Sequence, residues 1–151
     1  MTDEVFLHPG EFCFAEAGTR ISTLLGSCVS VCLWHPGRRI GGMCHYLLPG
    51  SHRGDGRYAG GAFDLFLREL DRTGTEPWQY HTKLFGGGAQ LLEGRVAAAN
   101  VAAGLALLER HSFTLLTRDV GGTGARFLRF DLDTGDVWVR RNSGRGLGVA
   151  S

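Results

Sequence analysis

The chain reads as an α+β fold, a layered sandwich in which two or three helices pack on a mixed, mostly antiparallel sheet. Three observations carry that reading. Apolar runs rich in β-branched and aromatic residues recur along the chain, each bounded by Gly, Pro or Asp. Two segments instead space their apolar residues at helical period. Glycine, at 24 of 151 residues, implies many tight turns between short elements. That length suits one domain, 1–151, with a substantial core. Hydrophobic residues make up 43% and charged residues 21%, ordinary values for a soluble protein.

Glu11–Glu16 alternates polar and apolar residues and is expected to form a half-buried strand. Ile21–Leu25 is apolar with two hydroxyls, Ser22 and Thr23, and leads into a bend at Gly26-Ser27-Cys28. Val29–His35 and Ile40–Leu48 follow as two strands joined at Pro36-Gly37. A connection centred on Pro36 and Gly37 sets Cys28 directly opposite His45. Opposed residues of an antiparallel pair share a face, so a thiol and an imidazole would meet there. A slip of one residue would separate them to opposite faces.

Pro49–Gly61 is polar and glycine-rich and reads as an exposed, mobile loop beside these strands. Ala62–Arg72 places Phe63, Phe66, Leu67 and Leu70 on one helical face, with Gly74 as its stop. A strand at His81–Phe85 runs into Gly86-Gly87-Gly88. Arg95–His111 is a second helix with Val101, Leu105 and Leu108 on its stripe; Asn100 within it reads as a locally bonded side chain. Phe113–Asp119 is a further strand, and Arg126–Leu132 and Asp136–Arg141 form a hairpin around Asp133-Thr134-Gly135. The tail from about 142 to 151 has little to bury and is expected to be flexible.

A net charge of +1 argues against a dedicated nucleic-acid surface. No apolar run approaches the ~20 residues of a membrane span, and MTDEVFLHPGEF lacks the basic start of a signal peptide. The expected compartment is the cytoplasm. There the four cysteines, Cys13, Cys28, Cys32 and Cys44, should be free thiols.

Three chemistries compete for these residues. A nucleophilic Cys28 needs His45 as base, a group to orient the imidazole, and backbone N–H groups for an oxyanion. Ser22 offers the orienting hydroxyl; neighbouring Thr23 is the substitute candidate, although strand alternation would aim it the other way. A zinc site could draw on Cys28, Cys32, Cys44 and His45, although adjacent Cys44 and His45 point to opposite faces and paired ligand spacing is absent. The bland alternative is a buried cysteine and a satisfied histidine. Neither glycine cluster carries a P-loop or dinucleotide signature, so both read as tight turns.

Leu25-Gly26-Ser27-Cys28-Val29-Ser30-Val31-Cys32, with His45-Tyr46-Leu47-Leu48-Pro49 thirteen residues on, resembles the chemoreceptor glutamine deamidases of bacterial chemotaxis, the CheD family. The resemblance continues through Lys83–Ala89, Asn100-Val101 and Asp119–Gly122 to the pair of strands around Asp133-Thr134-Gly135. It implies a cysteine hydrolase that converts receptor glutamines to glutamates and can cleave glutamyl methyl esters. Cys28 then matches the nucleophile and His45 the acid and base. Ser22 stands where the family carries an orienting threonine, six residues before the cysteine. The implied chemistry runs through a thioester, with no metal or organic cofactor. The substrate implied is the cytoplasmic domain of methyl-accepting chemoreceptors, and the phosphatase CheC is a candidate partner. The Ser22 departure keeps a non-catalytic adaptor of the same fold as the alternative. An activated Cys28 is expected to outpace the other thiols in alkylation.

Overall fold

The computed structural model of the chain describes residues 2–89, 93–141 and 148–150. Its strands are β1 (Asp3–Leu7), β2 (Phe12–Glu16), β3 (Thr19–Leu25), β4 (Val29–His35), β5 (Ile40–Cys44), β6 (His81–Gly86), β7 (Leu115–Val120), β8 (Arg126–Asp131), β9 (Val137–Arg141) and β10 (Gly148–Ala150). The helices are α1 (Ala59–Thr73) and α2 (Gly94–Arg110), with a 3₁₀ turn at Pro77–Gln79.

The strands form two five-stranded sheets rather than one, in the orders β1-β3-β8-β9-β10 and β2-β5-β4-β6-β7. Each is mixed: β1 runs parallel to β3 and β7 parallel to β6, and the remaining pairs are antiparallel. The architecture is therefore α+β, in three layers.

Alternation along the strands explains the layering. The first sheet turns Leu7, Ile21, Leu25, Leu128, Phe130, Val137 and Val139 inward, where they meet Cys32, Met43 and Phe85 of the second. The opposite face of the second sheet carries Val29, Val31, Leu33, Cys44 and Tyr46, which α1 and α2 cover. Because β4 is covered on both sides, Val29 to Leu33 are all buried, and Ser30 is the one polar residue among them.

Helix α1 buries Phe63, Phe66 and Leu70 and ends at Gly74 in the left-handed conformation, as its spacing predicts. Each such aromatic contributes roughly 1.5–3 kcal/mol by leaving water. Helix α2 departs from its expected stripe. Its buried residues are Ala97, Asn100, Gly104 and Leu108, and Val101 and Leu105 are only partly buried. Small residues win that face because the helix lies close to the sheet. A Cβ on Gly104 would come 2.6 Å from the Tyr46 hydroxyl.

The segment 49–61 is stitched to its surroundings rather than loose. Leu47 and Leu48 N–H both donate to the Arg57 carbonyl, and Gly60 N–H donates to that of Gly50. Within the tail, 148–150 pairs with β9, and 142–147 and 151 lie outside the described residues.

The β4–β5 register differs from expectation. Cys32 pairs with Met43 and His35 with Ile40, so Pro36–Arg39 form the loop, with Arg39 at φ +49°. The shift relative to a turn centred on Pro36-Gly37 is two residues, which preserves every face. It moves partners along the strand instead. Continuing from the Val29–Tyr46 bridge, Cys28 lies across from Leu47, and His45 is its diagonal neighbour.

Candidate active site

The chain passes from one sheet to the other at Gly26-Ser27-Cys28, between the end of β3 and the start of β4. That bend is held through all three of its carbonyls. Gly88 N–H donates to Gly26 O and Gly87 N–H to Cys28 O, each at 2.9 Å, and the Asn100 side-chain amide donates to Ser27 O at 3.0 Å. The glycines of 86–88 are there because nothing larger fits. A Cβ on Gly86 would fall 2.2 Å from the Cys28 carbonyl, and one on Gly87 would fall 2.3 Å from Val101 Cγ2. Fully buried Arg126 braces them from behind, donating to the Gly86 and Gly121 carbonyls and pairing with Asp119.

His45 lies one residue past β5, in a gap where the β4–β5 ladder lapses between Cys32–Met43 and Val29–Tyr46. In that gap Val31 N–H donates to Cys44 Sγ at 3.4 Å. Odd-numbered Met43 and His45 share the face between the sheets with even-numbered Cys28 and Cys32. Cys44 turns to the helices, so the four candidate zinc ligands split between two faces.

The imidazole is met from the other sheet by Thr23. Its Oγ1 lies 2.7 Å from His45 Nδ1 and 2.8 Å from the Leu7 carbonyl. A carbonyl can only accept, so the single threonine hydrogen is committed to Leu7 O. The threonine oxygen must then accept from His45, which places the ring proton on Nδ1 and leaves Nε2 with a free lone pair. Nε2 is buried and makes no hydrogen bond among the described residues.

The chain matches the family described as CheD chemotactic sensory transduction over residues 47–141. It is 51% identical over 147 residues to a probable chemoreceptor glutamine deamidase CheD 3 of Dechloromonas aromatica, covering 90% of this chain and 86% of that one. It is 49% identical over 148 residues to a probable chemoreceptor glutamine deamidase CheD of Pseudomonas savastanoi, covering 91% and 84%. A third relative so named, from Pseudomonas fluorescens, is 49% identical over 150 residues, covering 92% and 85%.

The chain belongs to the CheD family.

In this CheD chain the hydroxyl on His45 is that of Thr23, which corrects the expectation for Ser22. The inward phase of β3 is Thr19, Ile21, Thr23 and Leu25; Ser22 belongs to the outward set with Arg20 and Leu24. Leu24 is apolar yet 55% exposed, and that residue obscured the phase in the sequence. Asn100 is the second residue that sequence reasoning misjudged. Its amide bonds are not local but reach Ser27 and Leu47, and its own main-chain carbonyl accepts from the Tyr46 hydroxyl at 2.6 Å. A polar residue in phase with Ala97, Gly104 and Leu108 on a helix face was the available signal.

The electrostatics leave both the Cys28 thiol and the His45 imidazole neutral at rest. Burial pushes the Cys28 thiol up from its ordinary value, and the Glu93 carboxylate adds to the shift. Burial pulls His45 down to about 4, with Glu11 opposing and His8 assisting. The thiol is therefore protonated near neutrality and the imidazole is an unprotonated base. Cys32 and Cys44 are buried and pushed up further, Cys44 to about 12, as inert core thiols are.

Proposed function

We propose that this CheD protein deamidates glutamine side chains of chemoreceptor cytoplasmic domains, with Cys28 as nucleophile, His45 as acid and base, and Thr23 as the residue that orients the imidazole. What carries the reading is the Leu7–Thr23–His45 hydrogen-bond chain, which fixes the tautomer that a thiol proton requires. The names of the relatives supply the substrate class.

The Cys28 sulfur attacks the carboxamide carbon as its proton passes to His45 Nε2. Backbone N–H groups of the bend take the charge that develops on the oxygen. Collapse of the tetrahedral intermediate breaks the C–N bond, and His45 returns the proton to the leaving nitrogen, which departs as ammonia. Water then attacks the thioester carbonyl, giving its proton to Nε2. The glutamate carboxyl forms as the C–S bond breaks, and Cys28 recovers its proton from His45. A glutamyl methyl ester enters the same sequence with methanol as the leaving group. Pairing with the phosphatase CheC belongs to this proposal as well, carried by the family resemblance.

The test is incubation with a receptor cytoplasmic fragment, read by mass spectrometry. Each amide converted to acid adds about 1 Da, and Cys28→Ser should remove the gain because serine offers no comparable nucleophile. Conversion that survives in Cys28→Ser would refute the nucleophile assignment. Receptor binding without conversion by the wild type would favour the adaptor reading.

A further inference from the structure

Asn100 is completely buried on α2, and its side-chain amide lies between two carbonyls that cannot bond one another. One is Ser27 O at 3.0 Å, on the residue before the nucleophile. The other is Leu47 O at 2.8 Å, two residues past His45. The Asn100 amide nitrogen carries two N–H donors and no charge, and it bridges the pair by donating one to each carbonyl.

The Ser27–Cys28 peptide transmits the consequence. It is planar and trans, so its C=O and the Cys28 N–H point in opposite directions within one rigid plane. Whatever fixes the Ser27 carbonyl also aims the Cys28 N–H. That N–H donates to no acceptor among the described residues. A continuing β4–β6 ladder would engage it with Gly87 O, in return for the bond from Gly87 N–H to Cys28 O. Gly87 instead turns away at φ +66°, and the return bond is not made. The nucleophile's own amide is thus left available and held in a set direction.

We propose that Asn100 is a positioning residue that aims the Cys28 N–H at the developing oxyanion by holding the Ser27 carbonyl. The inference rests on the deamidase reading and adds to it a residue on an element that carries neither the thiol nor the imidazole.

Asn100→Asp keeps the side chain's shape and removes both donors. With a receptor cytoplasmic fragment as substrate, kcat should fall roughly 100-fold, the scale for loss of one oxyanion donor. KM should change by less than about threefold, since the bond matters only once the oxygen is charged. Alkylation of Cys28 by iodoacetamide builds no oxyanion, so its rate should stay within about twofold of wild type. An unchanged kcat would overturn the proposal. So would a kcat and an alkylation rate that fall together, because Asn100 would then merely hold the bend in place. Should the variant not fold, the wild type carries the test by NMR. A receptor peptide bearing an aldehyde in place of the glutamine carboxamide is captured by Cys28 as a hemithioacetal. The Cys28 amide proton should then shift downfield, and an unmoved resonance would overturn the proposal. If the wild type itself shows no Cys28-dependent deamidation, the underlying reading fails, and that arm alone reveals it.

Discussion

Thr23 and His45 come from different sheets, and the 2.7 Å bond between Oγ1 and Nδ1 spans the layer between them. Because the threonine hydrogen is committed to the Leu7 carbonyl, the bond has a direction, from the ring to the hydroxyl. Long-range ¹H–¹⁵N NMR at pH 7 should accordingly find His45 neutral and protonated at Nδ1. In Thr23→Val, which cannot accept that proton, the two tautomers should mix. An Nε2–H ring in the wild type would contradict the assignment.

Burial of a neutral imidazole makes stability depend on pH. The unfolded chain takes up the His45 proton near the ordinary value of 6.5, whereas the folded chain refuses it down to about 4. Between those values the unfolded state binds more protons, so stability falls as pH drops through the window and levels off below it. The contribution is about 3 kcal/mol across the full window. Urea unfolding of wild type and His45→Gln at pH 7.5 and 4.5 isolates the effect. The wild type should lose about 2–3 kcal/mol more than the variant on acidification. Equal losses would mean that the folded protein holds the ring in water.

A raised thiol value alters the expectation for Cys28 drawn from the sequence. Iodoacetamide should alkylate it at pH 7 no faster than an ordinary exposed thiol, and the rate should climb with pH beyond 9. On the proposed mechanism the thiol is activated only with substrate bound, when proton transfer to His45 and attack proceed together. A fast, pH-independent reaction between pH 6 and 8 would instead reveal a preformed thiolate–imidazolium pair.

Much of this arrangement was legible beforehand. The periods of α1, β8 and β9 are strong because each element has one wet side, and Cys28 stands out at a strand boundary after Gly26-Ser27. What the sequence concealed were relations between layers. Nothing local says that β3 and β4, joined by only Gly26-Ser27-Cys28, belong to different sheets, so the partner of His45 could not be read from strand phase within a single hairpin. The register slipped by two because Arg39 adopts a left-handed conformation that usually marks glycine or asparagine. Asn100 was misread for a related reason, since its partners lie 73 and 53 residues away.

The most direct test compares deamidation rates on a receptor fragment for Thr23→Ala and Ser22→Ala. Loss of the Thr23 hydroxyl frees the imidazole to rotate and to carry its proton on either nitrogen, which should slow turnover by roughly 10- to 100-fold, the scale for a misplaced catalytic group. Thr23→Ser should restore most of that rate. Ser22 faces away from the ring, and its replacement should leave the rate within about twofold of wild type, as for other substitutions outside the site. A crippled Ser22→Ala beside an unimpaired Thr23→Ala would contradict the account.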